Sequence, residues 1–165
     1  MQFIKTISIM TLFLFSAIAQ AEIIHIDTAK TQSLIDEGIP IIDIRTKSEW
    51  KQTGIVEGSH LLTLFDERGR FDIEKWMSDL DKIAGKDKPF MLICAVGGRT
   101  AMLSQYLDSK AGYTQVHNVH RGIVQWIGEN KPVVAYDEHA AADMSGQSGN
   151  SENMSVSTTT EGSTK

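Results

Sequence analysis

The feature that most constrains the fold of this chain is a repeated switch between short apolar runs and longer segments carrying helix start and stop residues. Ile23 to Ile26 is followed by Asp27, a natural N-cap, and a helix is predicted from Thr28 to Glu37 with Gly38 as its stop. Pro40 leads into the apolar run Ile41 to Ile44. A short turn of helix is predicted around Ser48 to Lys51 and a brief strand near His60 to Leu62. Asp72 can cap a helix over Ile73 to Ile83, ended at Gly85. Phe90 to Ile93 reads as a buried strand, Arg99 to Lys110 as a helix ended by Gly112, and Gln115 to Val119 as a further strand. The last helix runs from Gly122 to Glu129 and stops before Pro132. Apolar strands alternating with helices imply parallel pairing, so the predicted class is α/β: a small parallel sheet flanked by helices on both faces. Ligands of such sheets bind beyond the carboxyl ends of the strands. Cys94 follows one such end, and Asp43 and Arg45 mark another.

The two ends of the chain differ in composition from its middle. Residues 1 to 21 carry one early lysine, Lys5, then an apolar stretch from Ile7 to Ile18 and the small-x-small sequence Ala19-Gln20-Ala21. This pattern predicts a signal peptide cleaved before Glu22, because about a dozen apolar residues fall short of the roughly 20 that span a bilayer. The expected location is the bacterial periplasm, with no membrane attachment after cleavage. From about Asp137 the chain turns to Ser, Thr, Gly, Asn and Glu, and residues 137 to 165 are expected to form a disordered tail. One domain remains, residues 22 to 136, long enough for a single core. The chain has 16 basic and 21 acidic residues; without Lys5 the balance is 15 against 21. No basic cluster stands out, which leaves no electrostatic case for nucleic acid or an anionic membrane surface.

Cys94 is the single cysteine, so no disulfide can form within one chain, although export would place it in an oxidising compartment. It opens the loop Cys94-Ala95-Val96-Gly97-Gly98-Arg99-Thr100 between a strand and a helix. That arrangement aims backbone N–H groups and the positive end of a helix dipole at one spot. A thiolate there is expected near neutral pH, where a free thiol with its pKa of about 8.5 is mostly protonated. Free cysteines are also commonly small buried core residues. Trp50, Trp76 and Trp126 read as core. None of the five histidines stands at metal-ligand or triad spacing with Cys94, and His117 and His120 read as ordinary strand and loop residues.

Three segments together resemble the single-domain rhodanese family of sulfurtransferases. They are Ile42-Asp43-Ile44-Arg45 with Glu49-Trp50 and Gly54 to Ser59; the Cys94 to Thr100 loop, which fits Cys-x-x-Gly-x-Arg-[Ser/Thr]; and Gly112-Tyr113 followed by Val116, Asn118, Val119, Gly122, Ile123 and Trp126. The sulfurtransferases resemble one another in having four residues between Cys and Arg, as here, whereas related phosphatases and arsenate reductases have five. The chain departs from the family at Ile55, where His is usual, and at Arg121, where a glycine often precedes Gly122. It also lacks the basic residues that some thiosulfate-using members carry between Cys and Arg.

The resemblance implies double displacement through a persulfide on Cys94, with a sulfane donor (thiosulfate or a persulfide), a thiophilic acceptor (cyanide, a thiol or a partner protein thiol), and no metal or organic cofactor. Backbone N–H groups of Ala95, Val96, Gly97, Gly98, Arg99 and Thr100 would stabilise the sulfur anion. Gly97 and Gly98 are both expected to need backbone angles that a Cβ disfavours. Arg99 is expected to orient an anionic donor, or to pair with Asp43 or Glu49 and hold the loop. Thr100 is expected to cap the helix, and Asp43, Arg45 and Glu49 to support turn and loop. Two other classes remain open at this point: a binding or sulfur-carrying module without turnover, and a redox or phosphatase-like enzyme using the same thiol.

Overall fold

The computed structural model describes residues 23–138; the expected signal peptide, and the tail beyond Glu138, lie outside the described residues. Five strands form one sheet: β1 (Ile24–Ile26), β2 (Ile41–Asp43), β3 (His60–Leu61), β4 (Phe90–Ile93) and β5 (Val116–Val119). Their order is β1-β5-β4-β2-β3, and every pair is parallel. Five helices connect or follow them: α1 (Thr28–Asp36), α2 (Lys47–Thr53), α3 (Ile73–Leu80), α4 (Gly98–Tyr106) and α5 (Gly122–Gly128). The α/β class read from the sequence is the class observed. No helix among the described residues is long and apolar enough to cross a membrane.

The predicted caps form as hydrogen bonds. Asp27 accepts from Lys30 N–H at 2.7 Å, and Asp72 accepts from Lys75 N–H at 3.0 Å. At α2 the start is Thr46, whose hydroxyl accepts from Glu49 N–H at 3.3 Å while Glu49 reaches back to Thr46 N–H at 2.9 Å. This reciprocal pair satisfies two orphan donors of the first turn, and the spacing Thr46-x-x-Glu49 is its sequence signature. Two ends differ from expectation. Helix α3 stops at Leu80 rather than Ile83, because Ile83 and Ala84 both donate to Leu80 O and close a tighter turn. The last turn of α4 widens into a π-turn, Leu107–Ala111, before Gly112 ends it in a left-handed conformation.

Because the sheet is covered on both faces, its central strands are buried throughout; all four residues of β4 have no exposure. On one face Ile42, Phe90, Leu92 and Val116 meet Trp76 and Leu80 of α3 and Leu103 of α4. On the other face Ile26, Ile41, Met91, Ile93 and Val119 meet Leu34 of α1 and Ile123 and Trp126 of α5. Trp76 and Trp126 also place their N–H groups, on Leu62 O and Pro132 O, so the aromatic bodies bury without leaving a donor unpaired. Beyond α5 the chain returns along the outside of the domain. Val134 bridges Ile55, Tyr136 packs on Trp50, and Glu138 pairs with Lys47 and Lys51 of α2.

Candidate active site

Cys94 stands just past the carboxyl end of β4, in the middle of the sheet, with no exposed surface. The chain then turns through Ala95, Val96 and Gly97 and enters α4 at Gly98. Gly97 N–H donates to Cys94 Sγ at 3.2 Å, so the first turn of α4 and its dipole lie behind the sulfur. The carbonyls of Cys94 and Ala95 point the other way, toward α5. Ile123 N–H donates to Cys94 O at 2.9 Å and Val124 N–H donates to Ala95 O at 3.1 Å, so the first turn of α5 holds the loop from outside. Val96 is the loop's exposed side chain.

The glycines have distinct roles. Gly97 has φ +83°, and a Cβ there would lie 2.8 Å from Arg121 N and 3.2 Å from Val119 O. Gly122 has φ +55°, and its Cβ would lie 2.1 Å from Cys94 O. Gly98 needs neither allowance: it opens α4 with no atom within 4 Å of a Cβ position. The expectation that both loop glycines are conformationally required is therefore corrected to Gly97 alone. Gly98→Ala is expected to leave stability within about 1 kcal/mol of the parent or above it, because alanine favours a helical position. Gly97→Ala is expected to lower the urea midpoint clearly, since the added atom meets backbone. The two midpoints, measured side by side, check this contrast.

Arg99 pairs with Glu49, through Nη1 at 3.0 Å and Nη2 at 2.5 Å, and not with Asp43. This fork ties the first turn of α4 to the first turn of α2. The hydrogen bond to Glu49 raises the Arg99 guanidinium's hold on its proton, against the effect of burial, and Cys94 adds in the same direction. Partial burial pushes Glu49 up, but the Arg99 guanidinium, Thr46 N–H and the Arg45 charge outweigh it and hold the carboxyl below the usual range.

Asp43 is engaged by Arg45, which donates to it from Nε and Nη2 and reaches Thr53 Oγ1 at 2.6 Å and Gly54 O at 2.9 Å. Both side chains are buried. The pair fastens the end of β2 to the end of α2, so of the expected supports it is Glu49 that grips the cysteine loop directly.

Thr100 does not cap α4. The cap position is Gly97, in a left-handed conformation, and Thr100 lies buried in the first turn. Its hydroxyl stands 3.6 Å from Cys94 Sγ, 3.1 Å from Gly97 O and 2.5 Å from Asn118 Oδ1. Asn118 in turn lies 2.8 Å from His25. Sequence reasoning gave no role to Asn118 or His25; only the β1–β5 register, which sets His25 beside Asn118, brings them to the site. His117 is half-buried; burial, aided by the Lys30 charge, pushes its ring below the ordinary value. His120 stands edge-on to His25.

What this arrangement can do is present a sulfur to the N-terminal end of a helix, inside a loop whose first two carbonyls are taken by α5 and whose arginine is fixed by a carboxylate. Over 113 residues the chain is 35% identical to the candidate sulfurtransferase YtwF of Bacillus subtilis (strain 168), covering 67% of this chain and 97% of that one. It is 22% identical over 126 residues to thiosulfate sulfurtransferase 18 of Arabidopsis thaliana, covering 74% and 91% of the two chains. Among solved structures, a rhodanese-related protein from Thermoplasma volcanium is 26% identical with a TM-score of 0.51, covering 68% of this chain and 99% of that one. Residues 27–129 match the rhodanese-like domain, and the chain belongs to that family.

Proposed function

We propose that this protein is a sulfurtransferase that carries a sulfane sulfur on Cys94. The observation that supports this most is the Gly97 N–H on Cys94 Sγ at 3.2 Å, in a loop with four residues between Cys94 and Arg99. The Cys94 thiolate attacks the outer sulfur of a donor such as thiosulfate. The donor's S–S bond breaks, and its leaving group departs with the electron pair, as sulfite in that example. The outer sulfur then sits on Cys94 as a persulfide anion, held by the same N–H groups. A thiophilic acceptor, such as cyanide or a thiol, takes that outer sulfur, and the bond's electron pair returns to Cys94 as thiolate. No net oxidation occurs. Because Cys94 has no exposed surface, donors with a slim terminal sulfur are expected to react faster than bulky ones.

The test is intact mass after incubation with thiosulfate and, in parallel, an organic persulfide, beside Cys94→Ala. A gain of about 32 Da confined to the parent protein is the expected result, one sulfur on an attacking thiolate. No gain from either donor, with the thiol still open to alkylation, would overturn the reading. Export belongs to the same proposal. Expression of the full sequence in a bacterial host should yield a periplasmic chain beginning at Glu22, and a retained Met1 would refute it.

A further inference from the structure

Arg121 breaks two local rules at once. It holds the left-handed conformation, with φ +58°, where a Cβ is disfavoured and glycine is the low-cost choice. It also stands at the cap position of α5, where its side chain makes no capping hydrogen bond. Glycine, the residue often found at this place in the family, would meet both demands of the backbone. A side chain placed against its own backbone preference points to a use for that side chain.

Arg121 stands against the sulfur loop. A Cβ at Gly97 would lie 2.8 Å from Arg121 N and 3.4 Å from Arg121 Cα, and Gly97 N–H is the donor to Cys94 Sγ. Arg121 is exposed, and no ion pair among the described residues uses it. The other positive charge of the loop is committed, because Arg99 gives both Nη atoms to Glu49. Ala95, Val96, Gly97 and Gly98 carry no charge. The first-turn N–H groups of α5 are committed as well, to Cys94 O and Ala95 O. It is therefore the side chain of Arg121, and not the end of α5, that offers free positive charge here. Val96 and Val124, the exposed side chains of the same loop and helix, are apolar.

We infer that Arg121 is a specificity-determining residue for the sulfur donor: its guanidinium holds the oxyanion group of an anionic donor while the donor's outer sulfur meets Cys94. The inference rests on the sulfur transfer proposed above and names the donor class that this chain favours. A guanidinium presents parallel N–H groups that match two oxygens of one oxyanion, and the flexible stem of arginine carries that head well beyond its own Cα. With thiosulfate, the S–S bond breaks and sulfite leaves with the electron pair as before. Arg121 forms no covalent bond and moves no proton; it stays paired with the oxygens of the leaving group.

The test compares two donors on the full chain: thiosulfate, and benzyl persulfide, which has no oxyanion group. Each is read as the rate of mass gain on Cys94 in a single turnover. Arg121→Gly should lower the rate constant for thiosulfate, relative to that for benzyl persulfide, about tenfold, the effect of losing one hydrogen bond to a charged group. Arg121→Gln keeps a long side chain and a Cβ but no charge, and should show the same loss. Arg121→Lys should recover most of it. Added salt should slow the thiosulfate reaction of the parent more than that of Arg121→Gly. An unchanged donor ratio in Arg121→Gly, whether both rates hold or both fall together, would overturn the inference. A parent that gains sulfur from benzyl persulfide alone would overturn it too, and in both cases the proposed function stands. A parent that gains sulfur from neither donor overturns both.

Discussion

Gly122→Ala is expected to destabilise the fold by about 3 kcal/mol or more, read as a drop in urea midpoint, and to abolish persulfide formation in whatever protein remains folded. The added methyl would lie 2.1 Å from Cys94 O, 2.7 Å from Ala95 O and 2.8 Å from Ala95 C. All three are backbone atoms, so no rotamer change can clear the space. The φ of +55° adds a conformational penalty for any residue with a Cβ. Relief requires α5 to back away from the loop, which breaks the bonds from Ile123 and Val124 to Cys94 O and Ala95 O. The damage thus reaches the sulfur through the loop's outer face, though Gly122 touches no substrate. A midpoint within about 0.5 kcal/mol of the parent, the range of an ordinary surface change, would refute this account of α5.

Asp43→Ala is expected to cost about 3–5 kcal/mol, because it strands the buried Arg45 guanidinium without its carboxylate. Arg45 would keep only Thr53 Oγ1 and Gly54 O, neither of which neutralises it. The double variant Asp43→Leu, Arg45→Met should recover much of the loss, since removing both charges removes the desolvation penalty as well. The pair grips the end of α2 rather than the cysteine loop. Folded Asp43→Leu, Arg45→Met protein should therefore still gain sulfur on Cys94. Equal losses in single and double variants, measured by urea unfolding, would show that packing around β2 matters more than the charge left behind.

Much of the fold was legible in the sequence because its signals are local. Asp27 and Asp72 cap the helices that follow them, and Gly38 and Gly112 take left-handed angles where their helices end. The cysteine loop was legible for the same reason, since a strand, a Gly-containing turn and a helix adjoin in the chain. What the sequence hid is non-local. Arg99 had two candidate partners, and in the fold Asp43 is held by Arg45 while Arg99 pairs with Glu49. Thr100 read as a cap because its residue type favours caps. The tight approach of β5 and Arg121 to Gly97 moves the cap to Gly97 and turns the hydroxyl inward. His25 and Asn118 belong to the first and last strands, and nothing in either segment announces that these two pair. The early stop of α3 and the π-turn after α4 escape notice because helix periodicity does not encode how a last turn closes.

The returning segment after α5 has a mechanical consequence. Val134, Tyr136 and Glu138 lie against Ile55, Trp50, Lys47 and Lys51, so the segment leaves the domain along α2, the same helix whose Glu49 holds Arg99. A load applied beyond Glu138, by a fused domain or a surface attachment, would enter the fold through α2. From α2 it would meet the sulfur loop at the Arg99–Glu49 ion pair, while α5, from which the segment departs, holds the same loop by its bonds to Cys94 O and Ala95 O.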